Sequence, residues 1–327
     1  IEITDRCKYI RVVMSEISRI CDHLTCVGAS AMELGAFTVF LYMIKAREFL
    51  WELVEDVTGA RLTISYGRVG GVKADLPAGF DLKVKQAFAE TRAVLQEVHT
   101  LITGNRIFMD RLVGVGALSK EDTIAWGITG PLLRAAGVAF DLRKTQPYWA
   151  YDRIPFEIAL GKNGDNFDRY LVRMAEMEQS MRIAEQALDG LPGGAIQVDW
   201  EGRAIDPATY VDLGKQGKTE GLLLLPIKLS PNLLGQDRSA HDRINAQDKR
   251  VVLPPKSDAY GSIEGLMNHF MLVMEGYGIR PPAGEAYYAV EGANGELGFY
   301  VVSDGSDRPF RVHCRPPCLP PVAALPK

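Results

Sequence analysis

Residues 5–28 read DRCKYIRVVMSEISRICDHLTCVG. Ile10, Val13, Met14, Ile17, Cys21 and Leu24 recur at steps of three and four. That recurrence is one apolar stripe of an amphipathic helix. Asp5 is placed to cap its start, and Gly28 to loosen or end it. Glu16, Arg19 and His23 fall together on a neighbouring polar face, because spacings of three, four and seven superpose on a helix.

Beyond this stretch, residues 30–57 predict a second helix, apolar almost all round until Lys45 and amphipathic after it. A helix apolar on every side is a buried one, and Thr58-Gly59 ends it. A glycine-rich loop follows, Tyr66-Gly67-Arg68-Val69-Gly70-Gly71, then a helix over 81–103. Ser119 and Asp122 fit a loose capping box opening a short helix. A further long helix spans 163–188. Residues 198–250 lose all periodicity and read as a surface insertion. Pattern returns in a helix over Ser262–Tyr277. The period then changes to two: Ala286–Glu291 and Leu297–Val302 flank Ala293-Asn294-Gly295-Glu296, a hairpin signal, with a third strand at Phe310–Arg315. The expectation is a mainly α chain of one structural domain. Residues 1–197 form the bundle core, 198–250 the insertion, and 251–327 the last bundle helix, a small β-meander and a proline-rich tail.

The bulk numbers narrow the function classes. The 327 residues carry a net charge of −4 and no basic stripe, which disfavours nucleic acid as a partner. The longest apolar run, near Met32–Ile44, contains Glu33 and is shorter than the roughly 20 residues of a membrane span. Any membrane association therefore goes through partners. The chain shows no signal peptide and reads as one that begins mid-gene. Five scattered cysteines favour a reducing compartment, and the lack of any CxxC argues against an iron–sulfur cluster of its own. Cys21 and Cys26 project about 140° apart on a helix, so packed thiols fit them better than a metal pair. Cys314 and Cys318, in a proline-broken extended segment, are read the same way. Gly114-Val115-Gly116-Ala117-Leu118-Ser119 lacks the last glycine of a dinucleotide fingerprint and reads as a turn.

Among titratable residues, His23 reads as a satisfied, partly buried histidine or a proton carrier beside Glu16 and Arg19, and His269 as a core histidine. Glu33 has two readings. In an apolar helix it is a buried carboxylate with a raised pKa, suited to proton transfer; near a helix start it is a glutamate favoured by the helix dipole. Arg61 and Arg68 flank Thr63 in a loop between buried helices, fitting either a partner or anionic site or an ordinary surface loop.

Several segments together resemble the quinone-site subunit of NADH:quinone oxidoreductase, respiratory complex I. They include Glu16–Leu24, Met32-Glu33-Leu34-Gly35-Ala36-Phe37-Thr38, Thr58-Gly59-Ala60-Arg61 with Arg68-Val69-Gly70-Gly71, and Trp126–Ala135. Tyr151-Asp152-Arg153, Asp168–Met174 and Val302–Arg311 extend the likeness over almost all of the chain except 198–250. The resemblance implies an antiparallel helical bundle like the large subunit of nickel–iron hydrogenases. It implies a protein that helps form a quinone-reduction cavity beside the terminal 4Fe-4S cluster of a partner subunit, in electron transfer from NADH to quinone coupled to proton translocation. No cofactor is expected on this chain. The partners would be the cluster-bearing subunit and the other peripheral-arm and membrane-arm subunits, at the cytoplasmic face of a bacterial inner membrane.

The same resemblance sets three expectations by departure. The family's N-terminal β-rich part, with the His and Tyr that hold the quinone headgroup, and its C-terminal tail lie outside this chain. Glu33 stands where the family often has Asp, so it is the expected quinone-site carboxylate. Thr63 stands where many members have a His near the cluster, with Arg61 and Arg68 close by. Loss of an imidazole implies a low-potential cluster and menaquinone rather than ubiquinone. Two rival readings are a large subunit of a membrane-bound nickel–iron hydrogenase, whose cysteine pairs would lie outside this chain, and a structural subunit without chemistry.

Overall fold

The computed structural model describes residues 2–68, 70–198, 256–274, 281–306 and 308–325. The expected insertion lies outside the described residues from Asp199 onward. Four long helices dominate: α1 (Asp5–Glu33), α2 (Phe37–Thr58), α3 (Phe80–Val98) and α8 (Asn166–Asp189). α1 packs on α2 and α8, and α3 closes the group against α2 and α8. The predicted stripe of α1 is its buried face, with Ile10, Val13, Ile17 and Leu24 fully buried.

The ends of α1 correct the sequence reading. Thr4, not Asp5, is the cap, its Oγ1 accepting the Cys7 amide at 3.3 Å. α1 also runs through Gly28 to Glu33. Gly28 is there for packing: a Cβ added to it would lie 3.0 Å from Cβ of Met43, so α1 and α2 touch closely at this point. The chain reverses at Leu34-Gly35-Ala36, where Gly35 adopts φ 93°. The second helix therefore begins at Phe37 rather than at residue 30. Glu33 is the last residue of the first helix, exposed, at the end where the dipole disfavours a carboxylate.

Between α3 and α8 the chain is compact but only briefly regular. α3 closes with a π turn at His99–Thr103. Short helices α4 (Arg106–Leu112), α5 (Lys120–Ala125), α6 (Pro131–Ala135) and α7 (Leu142–Thr145) follow, then a 3₁₀ turn at Tyr151–Arg153. Ser119 caps α5 as expected, accepting the Asp122 amide at 3.0 Å. Most of these helices are shorter than two turns, too short to display a period.

Late in the chain, β3 (Gly284–Gly292), β4 (Gly295–Ser303) and β5 (Arg311–Arg315) form an antiparallel sheet in that order. Gly292 pairs with Gly295, so the turn is Ala293-Asn294 and Gly295 is already in the strand. The hairpin tip abuts the loop before α6: Thr129 Oγ1 accepts the Glu296 amide at 3.0 Å. The tip of this sheet thus rests on the helical core. The late helices α9 (Lys256–Gly261) and α10 (Ile263–Val273) precede the sheet. α10 corrects another expectation, because His269 is half-exposed, not core, and Ile263, Met267 and Phe270 are exposed beside it.

Candidate functional site

The polar face of α1 leads into a buried ion network. Glu16 is fully buried and accepts from Arg143 Nη1 at 3.1 Å, Arg19 Nε at 3.3 Å and the Tyr151 hydroxyl at 2.6 Å. Arg143 also binds Asp141 at 2.7 Å. One turn beyond Arg19 on α1, His23 Nε2 lies 2.9 Å from Oε2 of Glu176 on α8. The other oxygen of Glu176 accepts from Arg134 Nε at 2.6 Å, and Arg134 reaches Glu291 of β3 at 2.8 Å. Arg19 fastens the hairpin by donating to the carbonyls of Glu291 and Gly292 at 2.6 and 2.8 Å. Four helical segments and a strand are thus tied by charges that the solvent does not reach.

The electrostatics follow from the count. Arg19, Arg134 and Arg143 face Glu16, Asp141, Glu176 and Glu291, leaving one negative charge in excess within this set. Burial alone would raise the carboxyl pKa values. The charges of Arg143 and Arg19 overcome this at Glu16, and Arg134 with His23 overcomes it at Glu176, holding both carboxyls below their ordinary range. Burial pushes the His23 pKa down despite the opposing pull of Glu176. The imidazole is therefore neutral near pH 7. Glu176 can only accept, so His23 carries its proton on Nε2, and its Nδ1 is a buried lone pair with no partner among the described residues. The sequence reading had His23 partly buried; it is fully buried.

Cavities around this network include one of about 480 Å³ against Arg143 and Tyr151 and two that lie along α1. The larger of these two, about 1000 Å³, lies between α1, the glycine-rich loop and the β3–β4 turn, with Arg11, Asp22, Tyr66, Trp149 and Asn294 on its walls. Trp149 holds φ 54°, a strained conformation for a bulky residue. The smaller, about 400 Å³, lies between the end of α1, α4 and α8. Val27, Leu34, Phe108 and Leu112 give it an apolar side, and Glu33, Arg169 and Arg173 a charged one.

The expected site residues do not converge. Glu33 lines the smaller cavity. Arg61 is half-exposed and engaged by Glu48 at 2.6 Å and Glu55 at 2.8 Å. Thr63 is exposed in the bend that follows. Arg68 sits in the two-residue strand β1 (Gly67–Arg68), pairing with Gly71 of β2 (Gly71–Val72). Neither Arg61 nor Thr63 lines the cavity that Glu33 lines. Sequence reasoning saw Glu16, Arg19 and His23 as a face but missed what they face. One signal was present: Arg173, Glu176 and Ser180 on α8 repeat at three and four beside the apolar Tyr170, Met177 and Ala184. A polar stripe next to an apolar one, within a long helix, asks for a buried charged partner.

A sequence profile described as "Respiratory-chain NADH dehydrogenase, 49 Kd subunit" matches residues 33–218 and 232–327. The chain is 47% identical over its whole length to the D subunit of the NADH-quinone oxidoreductase of Myxococcus xanthus, spanning 66% of that protein. It is 46% identical over its whole length to a D subunit of the same enzyme from Anaeromyxobacter dehalogenans, spanning 64% of it. In Bdellovibrio bacteriovorus, a protein named as the C/D subunit of NADH-quinone oxidoreductase is 43% identical over 98% of the chain, which covers 48% of that protein. The chain thus spans about two thirds or less of the length of these relatives.

Proposed function

Given that this chain belongs to the respiratory-chain NADH dehydrogenase 49 kDa subunit family, we propose that it helps form a quinone-reduction cavity in an NADH:quinone oxidoreductase. In this reading electrons arrive from a 4Fe-4S cluster held by a partner subunit. The chain itself supplies shape, charge and proton transfer, and proton translocation is coupled elsewhere in the complex. The bundle corresponds to that of a nickel–iron hydrogenase large subunit put to a different use. The relatives named above are quinone oxidoreductase subunits, which favours this reading over a hydrogenase.

The observation that carries the proposal is Glu33 on the wall of a small cavity whose opposite character is apolar. A quinone ring needs an apolar slot of this order of size with a few polar groups, and a carboxylate at its edge suits proton delivery. No helix among the described residues is long and apolar enough to cross a membrane. The exposed apolar residues of α10 and of the sheet, such as Phe270, Tyr288 and Phe299, with Phe310 just before β5, suit burial against neighbouring subunits. The relative named as a C/D subunit supports a C-type subunit as one such neighbour. The chain then sits peripherally, through its partners, at the cytoplasmic face of a bacterial inner membrane.

The test is Glu33→Gln in the assembled complex. Loss of quinone reduction, with NADH oxidation by ferricyanide retained, is the expected result. Wild-type quinone reduction would favour a purely structural role for the chain.

A further inference from the structure

Arg19, Arg134 and Arg143 differ in their partners from Arg173, which is also buried, and from Arg169, which is half-buried. Arg19, Arg134 and Arg143 each meet a carboxylate within 3.3 Å. Arg169 and Arg173, one turn apart on α8, make no ion pair among the described residues. Arg169 is held by neutral oxygens: Asn166 Oδ1 at 2.6 Å and the carbonyls of Gly116 and Gly164 at 2.6 and 2.9 Å. Arg173, 9% exposed, donates to the Arg169 carbonyl at 3.1 Å. The Nε of each is buried without a partner. The acids nearest in sequence are occupied: Asp165 accepts the amides of Gly114 and Asp168 at 2.8 Å, and Asp168 accepts that of Lys162 at 2.8 Å.

Both guanidiniums line the smaller cavity, which therefore holds two cations against the single carboxylate of Glu33. Burial and the charge of Arg173 push the Arg169 pKa down, and Asp165 pulls it the other way. Two cations beside an apolar wall are costly unless something electron-rich balances their charge. What fits is a ligand with an apolar body and an electron-rich oxygen that only accepts hydrogen bonds. A quinone carbonyl has that character, and arginine has no acceptor to repel it.

We propose that Arg173, backed by Arg169, is the donor that seats a carbonyl oxygen of the quinone, with the ring lying on Val27, Leu34, Phe108 and Leu112. This rests on reading the Glu33 cavity as part of the quinone site. Arg173 makes and breaks no bond and cannot give up its proton. It fixes the oxygen and draws electron density onto it, while Glu33 remains the group able to carry a proton.

The experiment uses the assembled complex with decylubiquinone as probe and ferricyanide as an acceptor that bypasses the cavity. Arg173→Met should raise the quinone KM about tenfold or more, the scale of one lost charge-assisted hydrogen bond, with the ferricyanide rate unchanged. Arg173→Lys keeps the charge without the fork and should recover only part of that loss. A KM within about twofold of wild type in Arg173→Met overturns the proposal. If Arg173→Met fails to assemble, a wild-type KM in Arg173→Lys does so. Glu33→Gln separates the two ideas: if it alters quinone kinetics and Arg173→Met does not, only the arginine assignment fails. If neither variant moves them, the cavity reading fails as well.

Discussion

Nε2 of His23 on α1 lies 2.9 Å from Oε2 of Glu176 on α8, and both side chains are buried. This pair joins the two long helices through a neutral imidazole and a carboxylate shared with Arg134.

Acid should weaken the fold in two stages. The folded pKa values of His23 and Glu176 both lie below their unfolded values, so the unfolded state binds more protons and stability rises with pH. The His23 contribution is complete above about pH 6.5 and the Glu176 contribution above about pH 4.3. Each is lost as pH falls toward the folded pKa. Urea midpoints followed from about pH 8 to 5 should show the first limb, and His23→Gln should remove it. An unchanged slope in that variant would refute the assignment.

Removing one buried partner should cost far more than removing a surface one. Glu16→Gln takes from Arg19 its carboxylate partner and leaves Arg143 with Asp141 alone in a dry site, and should cost about 3 kcal/mol or more by urea unfolding. Arg61→Ala breaks two contacts of similar length at the surface. It should leave the urea midpoint unchanged, because solvent and salt already screen that cluster. Equal losses in the two variants would contradict the burial argument.

Gly28→Ala tests the close approach of α1 and α2. Helix propensity favours alanine by roughly 1 kcal/mol. The added Cβ would meet Cβ of Met43 at 3.0 Å, an atom fixed to its backbone. Overpacking of this kind costs about 1–3 kcal/mol, so the net change should be destabilising. A raised thermal midpoint would show that the helices separate easily.

Thr63→His bears on redox tuning. Thr63 is exposed among the described residues, so a partner can approach it. With threonine, the midpoint potential of the partner's cluster should be low and nearly independent of pH. With histidine it should rise and gain a pH dependence near neutrality, because an imidazole titrates there. Redox titration of both complexes followed by electron paramagnetic resonance decides it, and a pH-dependent potential in the threonine form counts against the idea.

The long helices were legible because their signal is local. Ile10, Val13, Ile17 and Leu24 repeat at the helical period, and that period is the buried stripe. The family was legible from residue strings spread along the chain. The helix boundary near Glu33 was not, since an apolar run continues across Leu34-Gly35-Ala36 and hides the reversal. The short helices α4 to α7 span too few turns to show a pattern.

Local pattern and residue strings sufficed for the helical class, the late β-meander and the family. They also marked Glu16, Arg19 and His23 as one face. Packing in three dimensions was needed to show that this face is sealed by Arg134, Arg143 and Glu176, residues over a hundred positions away. Packing likewise sets Glu33 at a helix end beside Arg169 and Arg173, in a cavity apart from Arg61 and Thr63. The reason is physical. Periodicity records which side of an element avoids water, whereas the pairing of buried charges depends on which distant elements the packed core brings within about 3 Å.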